Sequence, residues 1–424
     1  MATFNAEVFQ NEFLAPDADV VDAVVTVSVS GGPTVSATQA AVEIIIIDVS
    51  GSMNEEDGRK IIAARNATVA AIECIRDGVS FAVIGGRDDA NLIYPARGLA
   101  VADAGTRAEA RRAVERVEAD GGTAIGTWLQ LATRLASGQP GAISHAILLT
   151  DGKNQHQQPW ELERAIAASS GHFQCDCRGL GADWNVGELR KIASALLGTV
   201  DIIPEPNEME AEFTSLMEHA MGKEVGGVAL RLWTPQGSSL EFIRQVAPAL
   251  EDLTASGTPV NPLTKDYPLG AWGGDESRDY HVRVRVPTAA VGDERLAARV
   301  MLVVDGNQIA TGLIRAVWTD DEAKSTRINR QVAHYTGQAE LAEAIAEGLA
   351  ARDAGDIDTA TLKLGRAVQL AHDAGNDGTV TLLKKVVDVD DPAAGTVRLK
   401  RDVAAVDAMA LDVRSTRTVR VKEG

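Results

Sequence analysis

Residues 44–53 read IIIIDVSGSM, and this stretch decides the fold of the surrounding chain. The run Ile44–Ile47 is β-branched and uninterrupted, which is typical of a strand buried on both faces. Asp48 ends this run, and Ser50 and Ser52 follow it in an Asp-x-Ser-x-Ser pattern. Open α/β sheets bind their ligands at the carboxyl ends of such strands. The closely spaced oxygen-bearing side chains therefore favour a hard divalent cation such as Mg2+.

Size and charge limit the classes of protein that fit. A chain of 424 residues predicts two to three domains. The net charge of −19 argues against a nucleic-acid binder and against an anionic membrane as partner. The first thirty residues show no basic region followed by an apolar one, and no apolar stretch is long enough to span a membrane. Together with the odd number of cysteines, three in all, this predicts a cytoplasmic protein with reduced thiols.

Strands and helices alternate between residues 40 and 222. The pattern predicts strands at 43–47, 79–84, 144–149, 173–180 and 200–203, and helices at 58–76, 106–119, 125–136, 159–169, 186–197 and 208–221. Strands separated by helices form a parallel sheet that is covered on both faces. The predicted fold of this segment is therefore a doubly wound α/β domain.

Different architectures are predicted on either side of this domain. Residues 1–39 contain an alternating strand at 20–30, and residues 226–320 contain short strands with turns between them, including the hairpin signal Asp305-Gly306. These segments predict one antiparallel β-sandwich into which the α/β domain is inserted. Residues 325–387 predict a helical hairpin that turns at 354–356. Residues 388–424 predict a tail, with a breaker at 388–395 and a short helix at 403–413.

Two further oxygen-bearing side chains are expected beside Asp48. Thr123 follows Gly121-Gly122 and precedes a predicted helix, and Asp151 follows the apolar strand AILLT. Because the carboxyl ends of parallel strands share one edge of the sheet, these loops are expected to meet there. Asp48, Ser50, Ser52, Thr123 and Asp151 are therefore the predicted metal ligands.

The order IIIIDVSGSM, GGTAIGTWL and AILLTDGKN, within residues 41–222, resembles the von Willebrand factor A domain and its metal-ion-dependent adhesion site. The resemblance implies Mg2+, with Mn2+ or Ca2+ as alternatives, at the top of the sheet. It implies direct coordination by Ser50 and Ser52 and, in the ligand-competent state, by Thr123, while Asp48 and Asp151 lie close to the metal or act through water. The last position would take water or an Asp or Glu carboxylate of a protein partner.

Three functions are compared for this site. The first is a metal-dependent protein-interaction module without enzymatic activity, which the open position favours. The second is a metal-assisted hydrolase, against which stands the lack of a general base other than the ligand carboxylates. The third is a scaffold in which the metal only stabilises the fold. The overall arrangement also resembles intracellular A-domain proteins of bacteria, which implies a signalling or stress-response assembly.

Two weaker signals accompany these motifs. Cys175 and Cys177 are expected on one face of a strand as buried apolar side chains, since no further soft ligands complete a metal site. Lys153, His156 and Gln158 follow Asp151 and are expected either in a solvated loop or at the rim of the metal site.

Overall fold

The computed structural model describes residues 3–31 and 39–421 of the chain. It divides into two compact units, one formed by Val35–Gly226 and the other by Met1–Thr34 together with Gly227–Gly424. The finer division into five segments stays a prediction. Parts of its first and last segments, residues 1, 2, 32–38 and 422–424, lie outside the described residues.

The N-terminal segment supplies three strands to the second unit. They are β1 (Thr3–Gln10), β2 (Phe13–Leu14) and β3 (Val20–Ser30). The predicted strand at 20–30 is confirmed as β3, whereas β1 was not predicted. The two strands pair antiparallel, from Thr3 opposite Ser30 to Gln10 opposite Ala23.

The α/β unit contains a seven-stranded sheet. Its strands are β4 (Ala41–Asp48), β5 (Ser80–Gly86), β6 (Ala90–Tyr94), β7 (Ala100–Val101), β8 (Ile143–Thr150), β9 (Gln174–Leu180) and β10 (Val200–Ile203). The order is β10-β9-β8-β4-β5-β6, and β7 also pairs with β5. The predicted parallel arrangement holds for β4, β5, β8, β9 and β10, but β6 and β7 are antiparallel to β5. Only residues 87–89 separate β5 from β6, which is too short for a parallel crossover.

Helices cover both faces of this sheet. They are α1 (Glu55–Cys74), α2 (Ala104–Val114), α3 (Ile125–Ser137), α4 (Pro159–Ser169), α5 (Val186–Ala195) and α6 (Met209–Met221). Side chains of α1, α2 and α6 pack with alternate strand residues in one core cluster. Outside that cluster, α3 and α5 contact the sheet, and α4 contacts both of these helices. Ile44–Ile47 are fully buried between the two helical layers, as the isoleucine run predicts.

Strand order places a ligand-binding crevice beside Asp48. From β4 the chain passes to β5 on one side, and it later returns to place β8 on the other side. The carboxyl ends of β4 and β8 therefore flank the point at which the strand order reverses, which is where open α/β sheets bind ligands. Asp48 is the last residue of β4, and Asp151 directly follows β8.

Antiparallel sheets form a sandwich in the second unit. After the α/β unit come β11 (Lys223–Trp233), β12 (Ser239–Ala247), β13 (Glu251–Asp252), β14 (Thr258–Asn261), β15 (Thr264–Gly273), β16 (Ser277–Arg285), β17 (Glu294–Val304) and β18 (Asn307–Trp318). One sheet has the order β1-β3-β16-β12-β13 and the other β14-β15-β11-β17-β18-β2. Because β3 pairs with β16, the α/β unit is inserted between two strands of one sheet. The hairpin at Asp305-Gly306 is confirmed, with both residues at positive φ.

The chain becomes mainly helical after the sandwich. The elements are α7 (Glu322–Ser325), α8 (Arg330–Asp353), α9 (Ile357–Ala374), α10 (Asp377–Val386), β19 (Val387–Asp391), β20 (Thr396–Leu399) and α11 (Ala405–Arg414). The predicted hairpin is confirmed as α8 and α9. The predicted breaker at 388–395 is wrong in extent, because only the Pro-Ala-Ala-Gly turn interrupts the chain and both flanks pair as β19 and β20. In the described part of the chain, no helix is both long and apolar enough to cross a membrane.

Candidate metal site

Asp48 is fully buried, and both of its carboxylate oxygens accept hydrogen bonds from neighbouring loops. Oδ1 accepts from the backbone N–H of Ser50 at 2.8 Å, and Oδ2 accepts from the hydroxyl of Thr150 at 2.6 Å. Burial raises the pKa of Asp48 to about 6, a shift that these hydrogen bonds oppose and the nearby charge of Asp151 reinforces. Asp48 thus connects the end of β4 to the end of β8.

Two hydroxyls connect Asp48 to the second carboxylate. The Oγ atoms of Ser50 and Ser52 lie 3.1 Å apart, and the Ser52 hydroxyl donates to Oδ1 of Asp151 at 2.6 Å. Asp151 is 1 % exposed and Ser50 is 2 % exposed. The predicted ligands Asp48, Ser50, Ser52 and Asp151 therefore form one hydrogen-bonded group at the carboxyl edge of the sheet.

Thr123 lies beside this group. The Oγ atoms of Thr123 and Ser52 both border Gly152, at 3.6 and 3.7 Å from the position that a Cβ atom there would occupy. The loop that carries Thr123 is joined to the Asp48 loop by two backbone hydrogen bonds, from Gly51 to Gly121 and from Asp120 to Val49. All of the predicted ligands are thus brought to one edge of the sheet.

The loop after Asp151 holds the Thr123 loop and the start of α3. Helix α3 has Ala124 at its N-cap position and no side-chain cap of its own. Instead, the N–H of Thr123 donates to His156 Nδ1, that of Ile125 to Asn154 Oδ1, and that of Gly126 to Gln157 Oε1. We call these three side chains the α3 clamp. His156 is exposed, but its contact with Thr123 shows that it does more than lie in a solvated loop. Asn154 and Gln157 were not predicted from the sequence.

A lysine that the sequence analysis did not identify also contacts the group. Lys60, in α1, is 8 % exposed, and its Nζ lies 2.7 Å from Oδ2 of Asp151. Its second acidic neighbour, Glu55, is exposed and 3.7 Å away. Nothing in the local sequence separates Lys60 from a solvent-facing lysine of an amphipathic helix, because only tertiary packing buries it.

The two thiols on β9 are buried and lie apart from this group. Cys175 and Cys177 are both fully buried, with their Sγ atoms 3.9 Å apart, as expected for small apolar side chains. Among the described residues, no group of three or more His, Cys, Asp or Glu side chains is placed to hold a metal ion.

Comparisons with known proteins identify the family of the chain. Residues 43–202 match the von Willebrand factor type A domain, and residues 369–415 match the von Willebrand factor type A C-terminal domain. A solved structure, von Willebrand factor type A from Catenulispora acidiphila, is 50 % identical, with a TM-score of 0.94 over 99 % of this chain and 98 % of that one. The chain belongs to the von Willebrand factor type A family.

Two more distant matches give less information about this A-domain protein. The ArnB paralog VWA2 from Sulfolobus acidocaldarius is 15 % identical over 99 % of this chain and 100 % of that one, with a TM-score of 0.60, which shows the fold alone. An uncharacterized Synechocystis protein is 28 % identical over 219 residues, which is 50 % of this chain and 49 % of that protein. The A-domain protein thus spans about half of the length of this curated relative.

The donor set of the A-domain fits a hard cation. It consists of two buried carboxylates and three hydroxyls, and oxygen ligands of this kind suit Mg2+, Mn2+ or Ca2+. Hydroxyls are neutral, so a cation held by them keeps most of its attraction for an outside anion. This chemistry supports binding of an acidic group more readily than bond cleavage.

Proposed function

We propose that this protein is a metal-dependent protein-interaction module. Asp48, Ser50, Ser52, Thr123 and Asp151 hold Mg2+ at the edge of the sheet, and a partner protein supplies an Asp or Glu carboxylate to the open position. The observation that carries this proposal is the hydrogen-bonded group of hydroxyls and buried carboxylates at the point where the strand order reverses.

The proposal assigns no catalytic activity to the protein. A hydrolase needs a general base that can reach a water molecule beside the metal. His156, in the loop after Asp151, has its Nδ1 engaged by the N–H of Thr123. Both oxygens of Asp48 and both oxygens of Asp151 also accept hydrogen bonds within the group. These contacts favour binding over hydrolysis.

The setting of this interaction is also part of the proposal. We place it in an intracellular bacterial signalling or stress-response assembly, by analogy with the overall arrangement of the chain. A role in which the metal only stabilises the fold is less well supported, because a purely stabilising site has no need of a position open to an outside ligand.

The test is partner capture followed by titration. The full chain is immobilised, and proteins of the native lysate are collected in Mg2+ and in EDTA. A captured protein is then purified and titrated calorimetrically against the natural chain and against Asp48→Ala and Asp183→Ala variants. Asp183 is an exposed carboxylate of the same unit and serves as the matched control.

The proposal predicts binding that requires Mg2+, is lost in Asp48→Ala and is retained in Asp183→Ala. Substitution of one acidic residue of the partner should also abolish it. Equal affinity in Mg2+ and EDTA, or an unchanged affinity of the Asp48→Ala variant, would remove the proposed function.

A further inference from the structure

Lys60 of α1 is largely buried, and it places a positive charge beside the candidate metal ligands. Its ammonium lies 2.7 Å from Oδ2 of Asp151, while the other oxygen of that carboxylate accepts from Ser52 at 2.6 Å. The side chain of Asp151 is fully buried and that of Lys60 is 10 % exposed. The ion pair is therefore largely shielded from solvent and from salt, so its charge acts on the site with little screening.

A buried lysine is rare unless it is paired, because desolvation of its charge is costly. Glu55 is a weaker partner than Asp151, since it is 3.7 Å away and its side chain is 68 % exposed. Asp151 is a close partner of Lys60, and the ion pair holds Oδ2 of Asp151 toward α1. The other oxygen, Oδ1, accepts from the Ser52 hydroxyl.

The formal charges show what this contact does to a bound cation. Asp48 and Asp151 together carry −2, and the ammonium of Lys60 adds one positive charge beside Asp151. With or without a bound divalent cation, the centre is therefore more positive by one charge than it would be if residue 60 were neutral. The lysine thus lowers the affinity of the site for the metal and leaves the metal-bound centre attractive to an anion.

We propose that Lys60 sets the charge of the metal site and makes it selective for a carboxylate ligand at the expense of metal affinity. This inference rests on the proposed function. It assigns the preference for an acidic partner to a residue that is not itself a metal ligand. Lys60 is a positioning residue, which acts through Asp151.

Calorimetric titration of Mg2+ into the 424-residue chain tests this inference. Lys60→Gln removes the charge and retains an N–H donor toward Asp151, and Lys60→Arg retains the charge. Lys191→Gln is the matched control, because Lys191 also pairs with a glutamate of the α/β unit but is exposed at the surface.

Lys60→Gln is expected to bind Mg2+ roughly tenfold or more tightly than the natural protein, because one repulsive charge is gone. Lys60→Arg should stay within about threefold of the natural affinity, since arginine keeps the charge. Lys191→Gln should not change it. At saturating Mg2+, Lys60→Gln should also bind the captured partner more weakly.

Unchanged or weaker Mg2+ binding by Lys60→Gln would overturn the inference, as would unchanged partner binding at saturating Mg2+. A role limited to folding would lower the melting temperature in EDTA without changing the affinity for Mg2+. If Lys60→Gln does not fold, Lys60→Met is titrated in its place with the same expected direction. Absence of Mg2+ binding by the natural protein would instead refute the proposed function itself.

Discussion

At the scale of single residues, the main role of Asp48 is to hold neighbouring parts of the site in place by hydrogen bonds. Both of its oxygens already accept hydrogen bonds, from the Ser50 backbone and from the Thr150 hydroxyl. These contacts fix the turn that presents the Ser50 and Ser52 hydroxyls. The resemblance to the A domain implies that Asp48 either lies close to the metal or acts on it through water. Because both oxygens of Asp48 already have partners, the contacts fit the second arrangement.

Thr123 provides a test of a single ligand. Thr123→Val keeps the shape of the side chain and removes its hydroxyl, so Mg2+ affinity should fall about tenfold or more while the melting temperature in EDTA changes little. Calorimetric titration measures the affinity. Thr214→Val is the control, because the Thr214 hydroxyl donates to the Glu210 carbonyl of its own helix, α6. Equal losses in both variants would contradict the role of Thr123.

A glycine is required at position 86, at the end of β5, because the Trp128 ring packs closely against its backbone. A Cβ atom at Gly86 would lie 2.3 Å from the indole ring, and the ring is held by a 2.7 Å hydrogen bond from its N–H to the Arg87 carbonyl. Gly86→Ala should therefore reduce the free energy of unfolding by about 1–3 kcal/mol, measured by urea denaturation. Gly337→Ala, at an open position in α8, should cause no loss.

At the scale of secondary-structure elements, the α3 clamp is what fixes the loop that carries Thr123. Three N–H groups at the start of α3 have partners only because Asn154, His156 and Gln157 reach across from the loop after Asp151. Unsatisfied amides at a helix start cost about 1 kcal/mol each. The clamp thus joins the two metal-site loops that come from different parts of the sequence.

Removal of part of the clamp should loosen this loop. Asn154→Ala should accelerate amide hydrogen exchange at residues 123–126, and it should lower Mg2+ affinity about tenfold because Thr123 is no longer held. Hydrogen exchange followed by mass spectrometry measures the first effect, and calorimetry the second. The control is Gln155→Ala, an exposed residue of the same loop. Exchange rates that match those of the control would show that the clamp does not hold the loop.

Three strands of the α/β unit are also joined by a buried charged group away from the metal edge. His145 of β8 bonds Glu43 of β4 at 2.8 Å and Asp176 of β9 at 3.0 Å. Burial alone would lower the pKa of His145, but the two carboxylates outweigh it and raise the pKa to about 10. The same contacts hold the pKa of Asp176 below its usual value despite burial. His145 is therefore charged at neutral pH.

His145→Gln removes the cation that bonds both carboxylates and should cost about 3–5 kcal/mol at neutral pH. Because the folded pKa of His145 is raised, its contribution to stability is complete below about 6.5 and is lost as the pH rises through about 10. The difference in unfolding free energy between natural and variant proteins should shrink over that range. A difference that does not depend on pH would contradict the charged state of His145.

At the scale of the whole molecule, the main architecture could be predicted because hydrophobic periodicity is local. The isoleucine run, the strand–helix alternation and the order of the hydroxyls and carboxylates indicated the inserted α/β domain and its candidate site. For the sandwich, the sequence predicts strands at 228–233, 280–286, 296–304 and 308–318 but not β15, because the sequence of β15, TKDYPLGAWG, contains proline and glycines that are typical of a loop. Tyr267 and Trp272 of that strand are nevertheless buried in the sandwich unit.

What sequence could not indicate depends on contacts between distant segments. Lys60 and Asp151 are separated by 91 positions, and Gly126 and Gln157 by 31. Each of these side chains is ordinary in its own helix or loop, and its role emerges only when the sheet brings the segments together. Four of the candidate ligands could be predicted because they follow the apolar strands β4 and β8 or end one of them, and Thr123 because it follows Gly121-Gly122 and precedes a helix. The residues that support these ligands have no such local signal.

Calorimetric titration of Mg2+ into the 424-residue chain decides whether Asp48, Ser50, Ser52, Thr123 and Asp151 form a metal site. We expect saturable binding at a single site in the natural protein and in Asp183→Ala, and no binding in Asp48→Ala. Absence of binding in the natural protein, or binding of equal affinity in Asp48→Ala, would contradict it.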